Sequence, residues 1–150
     1  MNILKLELTH FGKFHLKTIT FTSGLNIVYG KNEAGKSTIH AFVRSMLFGI
    51  PDTEEGNERY SHYLPWETPH DFCGRMWIKK DDKVYRIERN FLRPQPTVRI
   101  FDDETDESLQ PAKQHLRQIL SGLTETSYLN TICIEQLKSA TDPQLAKELE

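Results

Sequence analysis

No stretch of this sequence comes near the roughly 18 consecutive apolar residues that a membrane-crossing helix needs. The first residues, Met1-Asn2-Ile3-Leu4-Lys5-Leu6-Glu7, alternate apolar and charged side chains and lack the continuous apolar core of a signal peptide. Cysteine is scarce: Cys73 and Cys133 are the only two, far apart, each in an apolar run. That usage fits reduced core thiols better than a disulfide framework, and the chain reads as soluble and cytoplasmic. An excess of positive charge is lacking too. The formal net charge is -2 and the pI about 6.3, so any nucleic-acid contact has to come from a local patch or a partner. With 150 residues, 37% hydrophobic and 27% charged, the chain can bury one sizeable core.

Leu4, Leu6 and Leu8 alternate with Lys5, Glu7 and Thr9, which predicts a strand with one wet face. A turn at Phe11-Gly12-Lys13-Phe14 leads to a second strand near Leu16 to Phe21, with Ile19 and Phe21 inward. After Ser23-Gly24, the short apolar run Leu25 to Tyr29 reads as a strand entering Gly30. From Lys36 to Phe48 the residues Ile39, Phe42, Val43, Met46 and Leu47 recur at three and four, the spacing of an amphipathic helix that Gly49 and Pro51 stop. The stretch from Pro51 to His70 has no clear period and reads as a loop. Two strands, Phe72 to Ile78 and Val84 to Arg89, flank a turn at Lys80-Asp81-Asp82-Lys83, and Thr97 to Phe101 is a third. Pro111 opens a helix with Leu116, Ile119 and Leu120 on its apolar face, and a short helix is expected over Glu125 to Asn130. Thr131 to Glu135 reads as a buried strand, and Thr141-Asp142-Pro143 as a helix start.

The chemistry concentrates in Gly30-x4-Gly35-Lys36-Ser37, which fits the P-loop pattern G-x-x-x-x-G-K-[ST]. Glycines let backbone N–H groups curl around phosphates with no Cβ in the way, and the following helix points its unpaired N–H groups at the same anion. Lysine at the Lys36 position reaches the β and γ phosphates, and the hydroxyl at Ser37 ligates Mg²⁺. A random chain of this length matches the pattern on the order of once in a few hundred, given ordinary glycine usage. An apolar run before it and an amphipathic helix after it supply the context that the mechanism demands. Lys31, Asn32, Glu33, Ala34 and Thr38 complete the loop that would surround ATP.

Three other segments imitate nucleotide-site motifs. Arg99-Ile100-Phe101-Asp102-Asp103-Glu104 looks like a Walker B strand, but its apolar run is short and its acids begin a turn, so a solvated hairpin is the better reading. Leu120-Ser121-Gly122-Leu123 looks like half of an ABC signature, and helix capping explains it. Asp71-Phe72-Cys73-Gly74 matches a GTPase motif, yet no Asn-Lys-x-Asp follows to read guanine, and it reads as a strand entry. Lys79, Lys80, Arg86, Arg89, Arg93 and Arg99, with Trp66 and Trp77 near, are either a mixed solvated surface or a DNA-binding groove.

With these residues laid out, the chain resembles the N-terminal lobe of the SbcC-type, SMC-like ABC ATPases, most closely the YhaN branch. The resemblance is carried by Leu6 to Phe14, Gly24 to Thr38, Arg59-Tyr60 with Pro65-Trp66, Tyr85-Arg86-Ile87-Glu88-Arg89 and Ile132-Cys133-Ile134-Glu135-Gln136. It implies an α/β P-loop NTPase fold with mixed and antiparallel strands. Residues 1–140 would be the lobe and 141–150 the base of a coiled coil. It implies ATP and Mg²⁺ as cofactors, held by Gly30, Asn32, Glu33, Ala34, Gly35, Lys36, Ser37 and Thr38. Gln136 stands where the family's glutamine touches Mg²⁺ and the attacking water, which makes Lys36 and Gln136 the catalytic pair. Relatives often carry arginine after the first-loop phenylalanine. Gly12 and Lys13 occupy that place here, so Lys13 is a candidate contact to base or ribose.

The same resemblance puts the Walker B acid, catalytic glutamate and signature motif in a C-terminal lobe that this sequence does not contain. The partners it implies are that lobe, a second ATPase head in a homodimer, a nuclease subunit and DNA, with no membrane. The function implied is ATP-driven conformational change in DNA repair or processing. A regulatory or assembly module that binds ATP without hydrolysing it is the competing reading. A P-loop kinase or GTPase is a third.

Overall fold

The computed structural model describes residues 2–21 and 33–127, apart from the side chains of 33–36. Among the described residues six strands form one sheet: β1 (Asn2–Phe11), β2 (Phe14–Thr20), β3 (Cys73–Lys80), β4 (Lys83–Asn90), β5 (Thr97–Asp102) and β6 (Glu107–Ser108). Their order across the sheet is β2-β1-β3-β4-β5-β6, and each neighbouring pair is antiparallel. The expected strand at Leu25 to Tyr29 lies outside the described residues, as do Thr131 to Glu135 and the helix start at Pro143.

The alternation predicted for β1 holds from Lys5 to Leu8, whereas Leu4 is only half-buried and Ile3 takes the core position, the pairing with β3 shifting register between Ile3 and Lys5. Leu6 and Leu8 are fully buried, while Lys5, Glu7 and Thr9 fall on the opposite face or its edge. Inward residues of four strands (Leu6, Leu8, Met76, Ile78, Ile87 and Ile100) make one apolar floor. Helix α1 (Glu33–Phe48) lies across β1, β3 and β4 with Ile39, Phe42, Val43, Met46 and Leu47 turned into that floor. The floor lies close to the helix at Gly74, where a Cβ would sit 2.3 Å from the Phe42 ring. Glycine therefore sets the depth at which α1 rests on the sheet. A shorter helix, α3 (Ala112–Leu120), covers β5 with Leu116 and Ile119.

Two boundaries differ from the sequence reading. Helix α1 opens at Glu33 rather than Lys36, so Glu33 to Lys36 form its first turn. An acid in that turn suits the positive end of the helix dipole. The stretch expected to be a loop contains helix α2 (Glu54–Tyr63). Thr53 caps it, its hydroxyl accepting from the Gly56 N–H at 3.0 Å, and Glu54 and Glu55 follow in the first turn. Apolar periodicity misses this helix because it buries Gly56 and Arg59 instead of an aliphatic stripe.

Both hairpin turns fall where the sequence puts them. Asp81 and Asp82 adopt φ of 52° and 65°, the paired left-handed geometry of a tight β-turn. The acidic turn after β5 also forms, but Asp102 is buried at 8% exposure rather than solvated. Leu120-Ser121-Gly122 is a helix end, with Ser121 left-handed and its N–H bonded to Arg117 and Gln118 carbonyls. Of the short helix expected over Glu125 to Asn130, the described part is α4 (Glu125–Ser127).

Candidate nucleotide-binding site

The first turn of α1 presents N–H groups that have no intrahelical partner, the feature a phosphate cradle uses. Ser37, in the next turn, is exposed to solvent, which fits a metal-ligating hydroxyl. Gly30 to Asn32, and the side chains of Glu33, Ala34, Gly35 and Lys36, lie outside the described residues, as does Gln136.

Tyr63, the last residue of α2, ties three elements together beside that turn. Its hydroxyl donates to the Ser37 carbonyl at 3.4 Å, and its ring stacks on Phe11 with centroids 5.2 Å apart. Its own carbonyl accepts from the Gly12 N–H at 2.7 Å. Burial pushes the Tyr63 phenol above its ordinary pKa, so it stays a neutral donor at physiological pH. Gly12, at φ +60°, turns the β1–β2 hairpin toward α1: a Cβ there would stand 3.5 Å from Thr38 Cγ2. The hairpin that carries Lys13 is thereby packed against α1. The sequence reading passed over Tyr63, although Thr53-Glu54-Glu55 announces the helix that carries it.

The far ends of the helices are held by cations from the sheet. Arg89 Nε donates to the Met46 carbonyl at 2.7 Å and its Nη2 to the Leu47 carbonyl at 3.3 Å. Burial holds its pKa down to about 10, still far enough above neutrality to keep it charged. Lys80 Nζ donates to the carbonyls of Gln118 at 2.9 Å and Ile119 at 2.8 Å, and also meets Ser121 Oγ. Arg86 pairs with Glu88, Asp103 and Asp106, and Arg93 bonds Asn57 and Pro51 and lies 4.4 Å over the Tyr60 ring. Most of the cations that could have been a DNA-binding groove are thus engaged within the lobe. On the sheet face away from α1, Arg75 pairs with Glu7 and Glu88, and Lys5 sits 4.0 Å over Trp77. That face is a mixed, internally paired surface.

The Walker B imitation resolves as a turn. Asp102 accepts from the N–H groups of Glu104 at 3.0 Å and Thr105 at 3.4 Å, and pairs with Lys83 at 3.2 Å. Asp103 accepts from Trp77 Nε1 and Arg86 at 3.1 Å each. Burial raises the Asp102 pKa, but the Glu104 and Lys83 hydrogen bonds outweigh it and hold the carboxylate below its usual range. Cys73 is half-buried at the start of β3. Burial, then Asp71 and Glu7, push its thiol pKa up, which makes it a poor nucleophile.

Comparison with known proteins decides the family. Residues 1–141 match the AAA domain family. The chain belongs to it. It is 43% identical over 56 residues to the uncharacterized protein YhaN of Bacillus subtilis, a match covering 37% of this chain and 6% of that protein. It is 26% identical over 146 residues to the DNA double-strand break repair Rad50 ATPase of Thermococcus kodakarensis, covering 91% of this chain and 15% of that protein. These findings support recognition of the N-terminal region of an SbcC/SMC-like AAA ATPase. The chain spans well under a fifth of either relative's length.

Proposed function

We propose that this AAA domain is the ATP-binding lobe of an SbcC/YhaN-like ATPase whose ATP binding and hydrolysis drive conformational change on DNA. The observation that carries the reading is the Gly30-x4-Gly35-Lys36-Ser37 pattern at the opening of α1, beside the hairpin that bears Lys13. Backbone N–H groups from Gly30 through Lys36 cradle the phosphates, with Asn32, Glu33 and Ala34 lining the loop and Thr38 closing it. Lys36 neutralises charge on the β and γ phosphates, Ser37 and Gln136 hold Mg²⁺, and Gln136 orients the attacking water. Lys13 reaches the base or ribose.

Hydrolysis needs a carboxylate opposite the P-loop. Asp102 and Asp103 are committed to a turn and to Lys83, Trp77 and Arg86, so they are poor candidates for it. A C-terminal lobe and a second head supply the missing groups in this account, and a coiled coil beginning at Pro143 joins the lobes. A nuclease subunit is a further partner. Lys36→Ala should abolish ATP binding by the full-length protein in calorimetry, and Gln136→Ala should spare binding while slowing turnover. Undiminished affinity in Lys36→Ala would end the P-loop reading. Turnover that is absent in the wild type, with or without DNA, would favour a non-catalytic assembly module.

A further inference from the structure

Two histidines face each other beside the turn of the β1–β2 hairpin. His10, the residue before Phe11, is the register partner of His15 on β2, so both side chains project from the same face of the sheet. Their Nδ1 atoms stand 3.3 Å apart, and the rings meet edge to face at 72° with centroids 5.4 Å apart. His10 is half-buried and His15 exposed, so the pair is within reach of solvent.

The separation is informative. N–H donors in proteins usually stand about 2.9–3.0 Å from an oxygen acceptor, so 3.3 Å is long for a hydrogen bond. Two nitrogens on a tetrahedral zinc ion, each about 2.0–2.1 Å from the metal, lie about 3.3–3.4 Å from one another. The pair therefore spans one edge of a zinc tetrahedron as it stands. The backbone that holds it is anchored. Phe11 is fully buried, and its ring meets those of Phe42, Tyr63, Phe72 and Phe91 with centroids at 5.1, 5.2, 5.3 and 5.8 Å. On the other side of Phe11, the Gly12 N–H is bonded to the Tyr63 carbonyl. Ligands presented from so fixed a turn need little ordering when an ion arrives.

We propose that His10 and His15 form a two-histidine site for a divalent transition-metal ion of the zinc class, which ties β1 to β2 beside the turn that carries Lys13. Neutral imidazole suits zinc, copper and nickel, whereas Mg²⁺ takes oxygen ligands, so the site is separate from any nucleotide-bound Mg²⁺. It does not rest on the function proposed above. Both Nδ1 lone pairs point to the metal, so each neutral ring carries its proton on Nε2 and no net proton is released on binding. Among the described residues no third His, Cys, Asp or Glu closes a cluster, and water completes the coordination. Structural zinc is held by four protein ligands, so two make a reversible site. Cys73, the register partner of His10 on β3, is the competing ligand to test.

The test is titration of the full-length protein with Zn²⁺, after EDTA treatment and dialysis and without nucleotide. It is run at pH about 7.5, where an ordinary histidine is neutral. Calorimetry should show that His10→Ala and His15→Ala each bind one Zn²⁺ fewer than wild type, and Mg²⁺ should not replace it. Zn²⁺ should raise the wild-type melting temperature, because an ion that binds only the folded hairpin stabilises it, and each histidine variant should lose that shift. Cys73→Ser should keep both the binding event and the shift. His15 is exposed on the edge strand β2, so His15→Ala should melt close to wild type in EDTA and carries the test if His10→Ala folds poorly. Equal zinc stoichiometry in wild type and His15→Ala would overturn the proposal. Loss of the binding event in Cys73→Ser would assign the ion to sulfur and overturn it as well. Nitrogen NMR gives a second readout: zinc should move the Nδ1 resonances of His10 and His15, and unmoved resonances would refute the site.

Discussion

Arg89, on β4, donates from Nε to the carbonyl of Met46, in the last turn of α1, at 2.7 Å. Sheet and α1 are joined at the end opposite the helix's first turn, and a full positive charge faces the negative end of the helix dipole. Because the guanidinium also reaches Leu47, two terminal carbonyls are satisfied by one side chain. Arg89→Ala should destabilise the lobe by about 2–3 kcal/mol, since carbonyls lose a charged donor in a half-buried site. Arg89→Lys should recover only part of it, because a point charge cannot fork to two oxygens. Urea unfolding followed by circular dichroism measures both, and equal stability of Arg89→Ala and wild type would refute the cap.

Gly74→Ala should destabilise by about 1–3 kcal/mol, the range for overpacking a filled core. Its Cβ would lie 2.3 Å from the ring of Phe42, which is itself completely buried. Gly74→Ala combined with Phe42→Leu should be less destabilising than the sum of the two single changes. Strict additivity in that double-mutant cycle would show that the two positions do not meet.

Asp102→Asn separates the turn reading from the Walker B reading. In the full-length protein the substitution should leave ATP turnover unchanged, whereas loss of a metal-holding acid would cost orders of magnitude. Its effect should appear in acid stability instead. The folded-state pKa of Asp102 is depressed, so its stabilising effect is present above the ordinary carboxylate pKa and is lost as pH falls through the folded value. Wild type should therefore lose stability relative to Asp102→Asn at pH below about 4. Parallel stability profiles of the two proteins from pH 7 to pH 2 would contradict that assignment.

Periodicity and turn chemistry were sufficient to find most of the strands, and helices α1 and α3, among the described residues. Leu6 and Leu8, the 3-4 spacing from Ile39 to Leu47, and the Asp81-Asp82 turn all record local backbone preference and one buried face, both written in neighbouring residues. The family was legible for the same reason, because a phosphate cradle needs its glycines, lysine and hydroxyl close together in the chain. Helix α2 was not legible as a period, since what it buries is an arginine whose partners, Ser45 and Glu125, come from elsewhere in the chain. Nor could sequence say what the cations do. Arg89, Lys80 and Arg86 form one basic cluster on paper, and in the fold they become a cap on α1, a cap on α3 and a partner for three carboxylates. The physical reason is one of range. Hydrophobic period and turn geometry are fixed by residues a few positions apart, whereas a charge finds its partner through space, and only the packing of helix on sheet decides which one it meets.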